Sequence, residues 1–133
     1  MNKLSIKKID HLVITVNDIK KTIYFYSVIM GMQEEYFIDD NGFRRLSINF
    51  GTYKINIHEK GNEFEPKAQN VKTGSLDICF LSEELIEKWI FFLNLNNIKI
   101  IEGPVERIGA TGKMTSIYIR DPDNNLIEIS KKL

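Results

Sequence analysis

Two histidines and two acids carry the clearest chemistry in this chain. His11 and His58 are its only histidines. Each lies in an alternating apolar run, as do Asp77 and Glu128. In Asn125-Leu126-Ile127-Glu128-Ile129-Ser130, the period of two along a strand puts Ile127 and Ile129 on one face and Leu126, Glu128 and Ser130 on the other. A carboxylate between two isoleucines is costly to bury unless a partner meets it. Imidazole nitrogens and carboxylate oxygens meeting from rigid strands are what a divalent metal ion needs. Taken singly, a strand histidine is more often a plain hydrogen-bonded side chain, and a mid-strand acid more often sits at an exposed edge. Four donors at related positions shift the balance toward a metal.

The elements that position these donors follow from periodicity. Ile9 to Val16 alternates, with His11, Val13 and Thr15 opposed to Leu12, Ile14 and Val16. Asn17 or Asp18 caps the next helix, where Ile19, Ile23, Tyr26 and Ile29 or Met30 recur at helical spacing until Gly31 stops it. Gln33 to Ile38 reads as a strand, and Asp39-Asp40-Asn41-Gly42 as a hairpin turn. Strands Arg44 to Phe50 and Tyr53 to Glu59 complete the first half. The polar stretch 61–73 has no period and reads as a connector. The pattern then restarts: strand Ser75 to Leu81, and a helix opened by Ser82 or Glu83 and closed by Asn96-Asn97. A short strand Ile98 to Ile101 follows, then a loop Gly103 to Gly112 with room for another strand. Strand Met114 to Arg120 and the final strand end the chain.

Strand, helix and three strands are thus given twice. Laying His11 on Asp77 puts helix over helix, and His58 and Glu128 both fall on the last strand of their halves. The faces bearing the donors also carry Val13, Thr15, Ser47, Asn49, Asn56, Cys79, Met114, Ser116 and Tyr118. Asn56, Ser116 and Tyr118 are expected to line a substrate pocket. Gly109-Ala110-Thr111-Gly112-Lys113 suits a mobile lid. Cys79, beside Asp77, reads as a small buried filler.

Composition bounds the function. Lys and Arg number 18 and so do Asp and Glu, so no net charge favours nucleic acid or an anionic membrane. One cysteine excludes an intrachain disulfide framework and suits a reducing compartment. The N-terminal stretch Met1 to Ile6 has no apolar leader core, and no run is long enough for a membrane helix. A cytoplasmic protein is expected.

Ile9-Asp10-His11-Leu12-Val13, with the helix ending Ile29-Met30-Gly31-Met32, resembles the opening of the vicinal oxygen chelate superfamily. This is the group of glyoxalase I, fosfomycin- and bleomycin-resistance proteins and extradiol dioxygenases. Asp121-Pro122-Asp123-Asn124-Asn125-Leu126-Ile127-Glu128 is similar to its closing motif. Asn56-Ile57-His58-Glu59, Phe64-Glu65-Pro66-Lys67 and Gly74-Ser75-Leu76-Asp77-Ile78-Cys79 look like a subgroup of small glyoxalase-domain proteins, some bacterial members of which carry a virulence label.

The resemblance implies an α+β fold of two βαβββ modules, about 5–60 and 74–133, forming a half-open barrel around one divalent ion. His11 and Glu128 match the first-strand and last-strand ligands of the superfamily. His58 matches a position where glyoxalase I has glutamate, and Asp77 one where its relatives have histidine. The metal set is then His11, His58, Asp77 and Glu128, with Glu128, or Asp77 if it is only loosely bound, as the catalytic base. Such donors suit zinc, nickel, manganese or ferrous iron. The function implied is electrophilic catalysis on vicinal oxygens of a small substrate, lyase- or isomerase-like. Non-enzymatic sequestration of a small molecule and iron-dependent dioxygenation are the alternatives. A homodimer is expected, because relatives of this length often pair and some build the site from two chains.

Overall fold

In a computed structural model, which describes residues 3–133, alternation turns into strand wherever one face can be covered by a helix. Met1 and Asn2, at the head of the stretch read above for a leader, lie outside the described residues. The first half runs β1 (His11–Val16), α1 (Ile19–Ile23) continuing as a π-helical turn (Tyr24–Ile29), β2 (Gln33–Ile38), β3 (Arg44–Phe50) and β4 (Tyr53–Glu59). Its sheet has the order β1-β4-β3-β2, with β1 parallel to β4 and the other pairs antiparallel. The second half repeats this with β5 (Asp77–Leu81), α2 (Ile86–Leu95), β6 (Glu102–Gly109), β7 (Gly112–Arg120) and β8 (Leu126–Lys132). Its order is β5-β8-β7-β6, again with one parallel pair, β5 with β8. The α+β class and the two βαβββ modules expected from the sequence are what the chain forms.

The apolar faces of both sheets meet in one core. Val16, Ile48 and Ile55 of the first sheet and Ile117, Ile119 and Ile127 of the second are fully buried. Phe25, Tyr26 and Ile29 of the first helical segment and Ile86 and Leu93 of α2 belong to the same cluster. Every second residue on these strands is thereby held inside, which leaves the alternate polar residues in fixed positions on the opposite face.

Asp18, not Asn17, caps α1: its Oδ1 accepts from the Lys21 amide at 3.1 Å. Gly31, at φ +74°, ends the segment in a conformation that favours glycine. Asp18→Ala leaves an orphan helix donor and is expected to cost about 1 kcal/mol, read as a lowered urea midpoint at unchanged slope.

The turn before β8 ties the two halves together. The Tyr26 hydroxyl donates to Asp121 Oδ2 at 2.6 Å, and Asn125 Nδ2 donates to the same oxygen at 2.8 Å. Asp121 Oδ1 accepts from the Asp123 and Asn125 amides, both at 2.9 Å. Asn125 Oδ1 accepts from the Leu76 amide at 2.8 Å, fixing the entry to β5. Asn17 Nδ2 reaches Asp123 Oδ1 at 2.7 Å. Burial, with the Asp121 charge beside it, holds the Tyr26 phenol protonated far beyond the ordinary tyrosine range.

Several boundaries differ from the sequence reading. The strand expected at Ile98 to Ile101 is absent, and β6 occupies most of the loop region that had room for another strand. Gly103 at φ +109°, the missing N–H of Pro104 and a register shift between Glu102 and Val105 interrupt the pattern that would have revealed it. The expected lid is a tight β6–β7 turn in which Gly109 pairs with Gly112. Helix α2 starts at Ile86 because Ser82 Oγ accepts from the Glu84 amide at 3.1 Å and from Trp89 Nε1 at 2.9 Å, holding the chain in a turn. Among the described residues no helix is long and apolar enough to cross a membrane.

Candidate metal site

The polar faces carry the candidate donors, and strand register decides which of them correspond. Val13 lies opposite Asn56, and Thr15 opposite His58. In the second half Cys79 lies opposite Glu128, and Leu81 opposite Ser130. With His11 laid on Asp77, the counterpart of Glu128 is therefore Asn56. His58 corresponds to Ser130, two residues further along the strand. Counting residues along the chain had matched His58 with Glu128, and the register corrects that.

His11 fits a metal. Its side chain is about half exposed, and Nδ1 is 2.9 Å from Asp10 Oδ1. A proton on Nδ1 shared with that carboxylate leaves the Nε2 lone pair free, the orientation in which a carboxylate prepares histidine for ligation. The same hydrogen bond is the main cause that holds the Asp10 carboxyl below its usual range.

Glu128 fits as well. Its Oε2 accepts from Ser130 Oγ at 3.1 Å, and that hydroxyl is 2.6 Å from Ser116 Oγ and 3.2 Å from Cys79 Sγ. The hydroxyl chain fixes one carboxylate oxygen and leaves the other available. Tyr118 lies directly across from Glu128, and its hydroxyl accepts from Arg107 Nε at 3.0 Å. Burial pushes the Tyr118 phenol up, and the Glu128 charge adds to this against Arg107. Tyr118 is thus a proton donor at neutral pH. Asp77, Glu128, Arg107 and Tyr118 line one hollow of about 440 Å³. Cys79 is exposed rather than a buried filler, and partial desolvation raises its thiol, which keeps it a poor nucleophile. Ser116 is fully buried against Ser130, so it orients Glu128 and does not line the hollow.

His58 does not fit. It is buried, and Arg45 Nη2 lies 2.8 Å from its Nε2. A guanidinium only donates, so the Nε2 lone pair is already used. Arg45 is also 3.3 Å from Asp39 Oδ2 and stacks 4.1 Å over the Phe64 ring, which in turn packs against the His58 ring. The sequence reading missed Arg45. The signal was there: Arg45, Ser47 and Asn49 share one alternating face across from His58 and Asn56. By contrast Asn56, expected to line a pocket, is buried with its Oδ1 lacking any partner among the described residues.

Burial, with the Arg45 charge next, lowers the His58 pKa below the usual histidine value. The unfolded chain then binds more protons than the folded one as pH falls through about 6.5, so stability falls with it. His58→Gln is expected to flatten this slope. Urea midpoints between about pH 7.5 and 5.5 provide the check.

Among the described residues no three His, Cys, Asp or Glu side chains gather at metal-binding spacing. Asp77 and Glu128 share their hollow; His11 lines another of about 750 Å³ with Phe50, Phe80 and Trp89; His58 faces a third of about 500 Å³. One chain thus brings the two acids together and leaves both histidines elsewhere.

Comparison with known proteins places the chain. The virulence protein STM3117 of Salmonella typhimurium is 47% identical over 129 residues, covering 97% of this chain and 87% of its own. Its crystal structure superposes with a TM-score of 0.91, covering 98% and 100% of the two chains. The glyoxalase domain-containing protein RDO1 of Mycosarcoma maydis is 48% identical, covering 96% and 70%. The metallothiol transferase FosB of Staphylococcus epidermidis is 30% identical, covering 93% and 83%. The sequence profile of one family spans residues 8–129. The chain belongs to the Glyoxalase/Bleomycin resistance protein/Dioxygenase superfamily.

Proposed function

We propose that the protein is a metal-dependent enzyme that binds vicinal oxygens of a small substrate, its divalent ion held by His11, Asp77 and Glu128. The carrying observation is the state of the donors: Asp10 leaves His11 Nε2 free, and Ser130 leaves one Glu128 oxygen free. Asn56, whose buried Oδ1 has no partner at the register position equivalent to Glu128, is the fourth ligand in place of His58. Zinc, nickel, manganese or ferrous iron suits such a set. The metallothiol transferase FosB, by its name a metal-linked enzyme, supports the reading.

Because His11 and the two acids line different hollows, the site is completed in a homodimer that sets β1 of one protomer near β5 of its partner. Both are edge strands, and Val13 and Leu81 beside the donors are 48% and 58% exposed. A second copy covers this apolar surface and unpaired strand edge at the same time.

When bound, the ion supplies electrophilic stabilisation to charge developing on two adjacent substrate oxygens. The rest is the work of this chain. Glu128, oriented by Ser130 and Ser116, takes a proton from substrate carbon as general base. Tyr118, kept protonated, donates a hydrogen bond to a substrate oxygen. Arg107 anchors the tyrosine and keeps positive charge beside the hollow.

Elemental analysis of protein purified without added metal tests the proposal, followed by activity screening with the metal found, a glutathione hemithioacetal included. About one ion per chain is the expected result. A well-folded dimer without metal that still binds small molecules would establish sequestration instead. Mixing His11→Ala with Glu128→Ala chains tests the shared site: heterodimers regain one intact site and its metal, whereas sites confined to single chains stay empty.

A further inference from the structure

The connector 61–73 has no regular secondary structure, yet it builds something. Its segment 66–72 closes over the outer edge of β1 and leaves a pocket of about 500 Å³, a volume suited to a small molecule. Val13, Ile14, Val71 and Leu76 give it apolar walls; Thr15 and His58 supply hydrogen-bonding groups.

The charges here have one sign. Lys67 and Lys72 line the pocket, and no aspartate or glutamate does. Lys72 joins no ion pair among the described residues, and Lys67 has only the exposed Glu65 at 3.7 Å. Arg45 stands behind His58, with its guanidinium over the ring of Phe64 from the same connector. Glu63 is a further opposing charge, acting on His58 from outside the lining.

From this combination we infer that the pocket binds a small organic anion, its apolar body against Val71 and Leu76 and its acidic head between Lys67 and Lys72. None of the proposed metal ligands lines it. The inference therefore goes beyond the metal reading and stands or falls separately from it.

The test uses the full protein as purified, with anilinonaphthalene sulfonate as an apolar anion and neutral N-phenylnaphthylamine as its uncharged counterpart, each followed by fluorescence titration. The sulfonate is expected to bind at about one per chain. Val71→Trp fills the pocket and is expected to abolish binding of both probes. Ala68→Trp, at an exposed lining position, serves if thermal melting shows that Val71→Trp does not fold. Lys67→Gln with Lys72→Gln is expected to weaken the sulfonate about fivefold or more and leave the neutral probe unchanged. Absence of sulfonate binding, or a folded tryptophan variant that binds like the parent, overturns the pocket. Equal effects of the lysine changes on both probes, or no effect on either, overturn the anion. Metal content measured on the same samples keeps a failure here distinct from a failure of the metal site.

Discussion

Glu128→Gln is expected to fold like the parent and to lose its metal, with affinity weakened by at least about 100-fold. Glutamine keeps an oxygen that accepts from Ser130 Oγ, so the hydroxyl chain through Ser116 stays satisfied. What it loses is the negative charge, and with it both a metal donor and a base. Turnover is expected to drop by about 10²–10⁴-fold even with saturating metal, the usual contribution of a placed general base. Asp10→Asn provides the graded comparison. It touches only the orientation of His11 and is expected to weaken metal about tenfold. Competition with a chromogenic chelator separates the two. Equal metal affinity in the parent and Glu128→Gln would remove Glu128 from the ligand set.

Asp121→Ala is expected to be the most destabilising single change on the polar framework, at about 3–5 kcal/mol. Four donors converge on this buried carboxylate: the Tyr26 hydroxyl, the Asn125 amide side chain and the Asp123 and Asn125 backbone amides. Alanine leaves them all unpaired in a place that water does not readily reach. Tyr26→Phe removes one donor without creating an orphan of its own and is expected to cost only about 1 kcal/mol. The contrast, measured by urea unfolding, distinguishes the cost of buried unsatisfied groups from the worth of one hydrogen bond. Equal losses in the two variants would show that the carboxylate matters only through the tyrosine.

The faces of β1, β4, β7 and β8 were legible because one side of each meets the core. Ile127 and Ile129 are buried on either side of Glu128, as alternation requires. The turn Asp121 to Asn124 was legible from its composition, though not its role as a tie to Tyr26, which lies far away in sequence. β6 was hidden by Gly103 and Pro104, which resemble loop chemistry even though pairing resumes at Val105. The π-helical turn was invisible, since six residues are too few for its period to differ from that of an α-helix.

At the candidate site, residue types were legible and register was not. His58 looked equivalent to Glu128 because both lie on closing strands, but a shift of two along β4 keeps a side chain on the same face while changing its partner. No periodicity reports such a shift. Nor does it report that a guanidinium occupies an imidazole. That depends on Arg45, Phe64 and Asp39 meeting from a strand, a connector and a turn.

The pair formed by Arg45 and His58 has a quiet twin. At the corresponding step of the second sheet stand Ser116 and Ser130, joined by their hydroxyls. A doubled scaffold has thus dictated where a couple must stand and left its identity free. One slot holds large, charged and aromatic company, the other two of the smallest polar side chains. The pseudo-symmetry of the backbone is therefore no guide to which side chains a matching position in the other half will hold.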